Sequence, residues 1–225
     1  MDLETMIRSV RDDTQISNAQ KIIDKLNSGQ AWVTDRVLVM DENILKVSND
    51  QNTLGATTST YDLAANVNTG VLYQLKWLGV RLSGDTKFQP IRFVDSSDNE
   101  FISLDQETTT ATSHPVLCAV ENFNQVRFAP PLASGVVIRT DYIYKPAPLS
   151  LESNIESDLP ETFHETIVAK AKAEAFAGID DDRIAYFERM ALDKLYAAMN
   201  VLGQRQLQQP PRTRPFRTRR LRTLN

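Results

Sequence analysis

Residues 158–203 read DLPETFHETIVAKAKAEAFAGIDDDRIAYFERMALDKLYAAMNVLG. Asp158 as N-cap, Pro160 in the first turn and Glu161 three residues after the cap predict a helix that runs through the Ala-rich stretch to about Ala177. Gly178 supplies a stop. Asp180, Asp181 and Asp182 place negative charge at the start of a second helix, which explains them without a bound cation. Ile184, Phe187, Ala191, Leu195, Ala198 and Leu202 form a stripe of 3.6-residue period that ends before Gly203. The two helices are expected to pack as an antiparallel hairpin, and alanines at 169, 171, 173, 175 and 177 admit a neighbouring helix at short range.

Working upstream, Lys145-Pro146-Ala147-Pro148 closes a region of different texture. Between about 36 and 145 short β-rich runs alternate with polar turns: VLVM at 37–40, NILKV at 43–47, VLYQLKWL at 71–78, FQPIRFV at 88–94, VLCAV at 116–120, QVRFA at 125–129 and VVIRTDYIY at 136–144. These are antiparallel strand candidates, with the Thr/Ser stretches at 57–60 and 108–113 as loops. The last run is expected to have one core face and one interfacial face. Further upstream, Leu3, Met6, Ile7 and Val10 repeat at helical spacing. Ser17 and Gln20 make a capping-box start for a second short helix, with Ala19, Ile22, Ile23 and Leu26 on one face and Asn27-Ser28-Gly29 weakening its continuation.

Composition narrows the chemistry. At 225 residues, with 41% hydrophobic and 24% charged positions, the chain is long and apolar enough for a packed core. A lone Cys118 excludes internal disulfides and thiolate zinc cages, and its apolar strand suits an inert buried thiol. No apolar run reaches the roughly 20 residues that a membrane span requires. The chain is therefore expected to be made and folded in cytosol.

Net charge is −4, yet residues 204–225 hold seven arginines and no Asp or Glu, so that segment carries +7 and the rest −11. Such asymmetry marks an interaction tail on an acidic globule.

Catalytic and metal motifs find little support. His114 precedes Pro115 in a Thr/Ser-rich loop, and His164 lies near a helix start, where a surface position is expected; no third ligand is spaced to join either. DSSDNE at 95–100 lacks the turn glycine and distal Glu of a calcium loop and reads as a solvated turn. Phosphate-loop, nucleophile-elbow and dinucleotide-binding patterns are absent, and Trp32 and Trp77 suit a core. The expectation is a non-enzymatic protein with no cofactor and no metal.

The order QVRFAPP, VVIRTDYIYKPAPLS, SDLPETFHETIVAKAKAEAFAG and DDDRIAYFERMALDKLYAAM resembles the C-terminal half of head–tail adaptor (connector) proteins of tailed bacteriophages, of the short-tailed type. A strand ending in prolines, a Tyr-rich strand, a D-x-P-E-x-x-H helix start and an Ala-rich hairpin occur there in the same order. The resemblance covers roughly residues 120–202 and extends to the N-terminal helix pair, with 36–110 as an inserted β-domain. It implies a homo-oligomeric ring, typically of twelve copies, in the virion neck. Such a ring docks beneath the portal protein, continues the duplex-DNA channel and offers a platform for tail or nozzle proteins.

The expected architecture is α+β. N-terminal helices at 1–35 and the hairpin at 146–203 form a helical body, an antiparallel β region fills 36–145, and an extended arm occupies 204–225. Pro210, Pro211 and Pro215 exclude a continuous helix in the arm, while Phe216, Leu221 and Leu224 punctuate the arginines with apolar anchors. Arg205, Arg212, Arg214, Arg217, Arg219, Arg220 and Arg222, with Phe216 and Leu221, are the candidate portal-binding residues. Arginine forks would pair with carboxylates while the apolar side chains fill pockets. The alternative is a nucleic-acid-binding or packaging protein whose arginines grip DNA phosphates with strong salt dependence.

Overall fold

A computed structural model describes residues 1–66, 70–82, 85–107, 111–112, 117–121, 125–151 and 157–207. Among them the chain is α+β, with five α-helices and two four-stranded sheets.

Helix α1 spans Leu3–Thr14 and buries Leu3, Met6, Ile7 and Val10, the four residues whose spacing predicts it. Helix α2 departs from expectation. It spans Ala19–Asp41, 23 residues, and is capped by Asn18 rather than Ser17: the Asn18 carboxamide oxygen accepts from the Lys21 N–H at 3.2 Å. The helix passes through Asn27-Ser28-Gly29 and absorbs VLVM at 37–40, so that run is helix and not strand. Gly29 is tolerated because a neighbour needs its missing side chain: a Cβ there would stand 2.7 Å from the Ile167 carbonyl oxygen. Close helix approach thus outweighs the roughly 1 kcal/mol that glycine costs inside a helix.

After a 3-10 turn at Glu42–Leu45 come strands β1 (Lys46–Thr53), β2 (Thr58–Asp62), β3 (Val71–Leu82), β4 (Gln89–Pro90) and β5 (Arg92–Val94). Helix α3 (Asn99–Glu107) precedes β6 (Leu117–Glu121), β7 (Gln125–Leu132) and β8 (Val136–Lys145). The sheet orders are β1-β8-β3-β4 and β2-β7-β6-β5. The Thr-rich 57–60 stretch, expected as a loop, supplies most of β2, which pairs with β7. FQPIRFV divides between the two sheets, and β5 pairs parallel to β6, so the region is not purely antiparallel. Of DSSDNE, residues 95–98 turn as expected, with Asp95 accepting from the Ser97 N–H at 2.8 Å, whereas Asn99 and Glu100 already belong to α3.

Leu78, Val80, Val136 and Ile138 of one sheet meet Tyr61, Cys118, Val126 and Phe128 of the other in a sandwich core. On the far side of the second sheet, Leu117, Ala119 and Ala129 receive Phe101 of α3. Arg127 of β7 fixes α3 by donating to both oxygens of Asp105, at 2.6 and 3.2 Å. Strand β8 is central in its sheet and buried on both faces along most of its length, instead of having one interfacial face. Its Val136 and Ile138 serve the sandwich, while Tyr142, Ile143 and Tyr144 enter a second core formed with α1 and α2.

The second core continues into Leu159, Phe163, Ile167 and Val168, and into Leu195 and Ala198 of the final helix. Glu161–Phe163 is a 3-10 turn leading into α4 (His164–Ala175), and α5 follows at Asp181–Leu207. Asp158 does not cap this start: its carboxylate accepts from the Ala147 N–H at 3.2 Å. Gly178 adopts φ +77 in the turn between α4 and α5, and Asp180 caps α5 by accepting from the Arg183 N–H at 3.0 Å. Phe187, Ala191, Leu195 and Ala198 of the expected stripe are buried. Helix α5 does not stop before Gly203 but runs four residues further, because Gln204-Arg205-Gln206-Leu207 are good helix formers and one glycine is not a breaker.

Two glycines give a paired test. Gly29→Ala drives a methyl into the Ile167 carbonyl and should lower unfolding free energy by about 1–3 kcal/mol. Gly203→Ala meets nothing within 4 Å and should raise it by about 0.5–1 kcal/mol. Denaturant midpoints of the two variants moving in the same direction would contradict the placement of one helix or the other.

Candidate interaction surfaces

The crossover from β8 to α4 is held by a set of contacts that begins in α2. Asn27 donates to the Leu149 carbonyl at 3.2 Å and accepts from its N–H at 2.7 Å. Gln30 donates to the Ala147 carbonyl at 2.8 Å and accepts from the Ser157 hydroxyl at 2.7 Å. The Tyr144 hydroxyl donates to the Asp158 carbonyl at 2.9 Å. Residues 146–149 of the Pro-rich crossover from β8 to α4 lie outside both sheets, and these side chains supply partners for their backbone.

The start of the chain is tied to the same helix. The Met1 ammonium donates to Glu161 at 3.0 Å, and hydrogen bonding to that ammonium holds the Glu161 carboxyl below the usual range. His164, expected on a helix surface, is 5% exposed, with its ring nitrogens 2.7 and 3.1 Å from the carbonyl oxygens of Met1 and Leu159. It is an internal tie, not a ligand. Lys172 reaches Asp13 at 2.6 Å and the Ser9 hydroxyl at 2.9 Å, pinning α4 to α1. Lys194 joins α5 to Glu165 of α4 and lowers that carboxyl by hydrogen bonding.

These ties fix the direction in which α5 carries the chain towards its last segment. Arg205 lies in the final turn of α5 and not in an arm that begins at 204. Arg212, Arg214, Phe216, Arg217, Arg219, Arg220, Leu221 and Arg222 lie outside the described residues, as do His114 and the Thr/Ser positions 108–110 and 113. Among the apolar side chains left exposed, Val39, Met40, Leu192 and Tyr196 flank a groove between α2 and α5, and Ile179 projects from the α4–α5 turn. Sequence periodicity could not single these out, since an exposed apolar residue interrupts no pattern. Among the described residues, no group of three or more His, Cys, Asp or Glu is placed to hold a metal, and no helix is long and apolar enough to cross a membrane.

The model of the SU10 adaptor protein family matches residues 1–219, nearly the whole chain. The chain belongs to that family. The adaptor is thus a structural component of the phage virion at the head–tail junction and not an enzyme, as the sequence resemblance implies. Association with portal and tail proteins follows at the same coarse level. No individual protein of curated function matches it. The match spans the inserted β region at 36–110 as well as the helices, which is further than the resemblance reached from residues 120–202.

Burial in the two cores of the adaptor has a titratable consequence. The Tyr61 and Tyr144 hydroxyls are pushed from 10.0 up to about 12, and the Cys118 thiol from 9.0 up to about 12, in each case chiefly by desolvation. Each folded-state value lies above its unfolded value, so the folded chain retains protons that the unfolded chain releases. Stability should be full below about pH 9 and decline as pH rises towards 12. Denaturant midpoints that stay constant from pH 9 to 11.5 would contradict this. At neutral pH, Cys118 should react with a thiol reagent only after unfolding.

Proposed function

We propose that the adaptor assembles as a ring, with twelve copies as the number implied by its family resemblance, which joins the capsid portal protein to tail or nozzle proteins and continues the channel for duplex DNA. In this reading the C-terminal segment docks on the portal as an extended peptide. Arg212, Arg214, Arg217, Arg219, Arg220 and Arg222 pair with carboxylates there, Phe216 and Leu221 occupy apolar pockets, and Arg205 guides the segment from its root on α5. At about 3.3 Å per residue, 18 residues reach roughly 60 Å, enough to cross more than one subunit of a partner.

The observation that carries the reading is the division of charge. Residues 1–207 carry −10 while 208–225 carry +6 without one acidic group, and the family match extends into that basic segment as far as residue 219. An acidic body repels phosphates, so duplex DNA passes a channel built from it without specific binding. Carboxylate-rich grooves on a protein partner suit forks interleaved with Phe and Leu better than a bare phosphate backbone does.

Deleting 208–225 tests the assignment. The truncated adaptor should keep its thermal midpoint, because the two cores are built from residues upstream of 208 among those described, and should fail to attach to DNA-filled heads that carry the portal. Replacing the six arginines by lysine preserves charge and removes bidentate pairing, and should lose most of the attachment, by roughly tenfold or more. Full attachment and genome retention by the truncated chain would overturn portal docking by this segment. Retention on DNA at low salt by the isolated 208–225 peptide, lost at high salt and without affinity for portal-bearing heads, would favour a DNA-gripping role instead.

A further inference from the structure

We draw no further inference here: the strongest candidate, the groove between α2 and α5 whose walls expose Val39, Met40, Leu192 and Tyr196, has one acid and one base in its lining, Asp35 and Arg36, and nothing in the structure shows what covers it.

Discussion

Two side chains one helical turn apart, Asn27 and Gln30, fasten the described part of the crossover that joins the sandwich to the helices onto α2, and the entry into α4 starts from there. Residues 146–149 of the crossover lie outside both sheets and include two prolines with no N–H to give, so their backbone polar groups need partners from elsewhere. Asn27 satisfies Leu149 at both its N–H and its carbonyl, and Gln30 takes Ala147 and Ser157 together. Gly29 sits between them and lets α4 come to within van der Waals range of the α2 backbone. The run Asn27-Ser28-Gly29-Gln30 therefore sets the position of α4, against which α5 packs, and so the direction in which α5 runs. An unpaired polar group in that contact would cost roughly 1–3 kcal/mol, comparable with a sizeable part of a domain's net stability.

That run also shows why part of the fold was legible and part was not. Helix α1 and the buried stripe of α5 follow from periodicity because each has one apolar face and one polar face. The run 27–30 instead looks like a stop, since Asn, Ser and Gly favour turns when nothing is known of their neighbours. Here tertiary contacts override the local preference, and the apolar series Ile22, Leu26, Val33, Val37 resumes on the same face beyond it. VLVM at 37–40 reads as a strand for the same reason: a four-residue apolar run has no period of its own. Asp158 misled in a related way. It has the spacing of a cap, but the backbone of the crossover competes for its carboxylate and wins.

The β region was legible where strands are long and central, and obscure at its margins. Strand β8 has β-branched and aromatic residues at nearly every position because helices cover one end and the second sheet covers the other. Strand β2 is made of Thr, Ser and Tyr at a sheet edge, where polar residues are compatible with pairing, so its composition matches a loop. Helix α3 has only Phe101 and Leu104 to offer the sheet and relies on Arg127 and Asp105 for its attachment. Those partners are 22 residues apart in sequence, and no local window contains both. The basic segment was legible as charge alone, and its chemistry follows from residue type and not from placement.

Weak contacts between copies and a long docking segment are physically linked. Ordering 18 residues of chain costs on the order of 18–36 kcal/mol of backbone entropy, so one segment attaching alone must recover nearly all of that from its own ion pairs and apolar anchors. In the proposed ring, once one copy is seated, a neighbour that touches it even weakly would find its own docking site at high effective concentration. Each seated segment therefore lowers the concentration needed for the next, and assembly in the proposed ring is confined to the surface that gathers the copies. A tight contact between free copies would remove that control, because a head-to-tail interface that does not close on itself continues as an open filament.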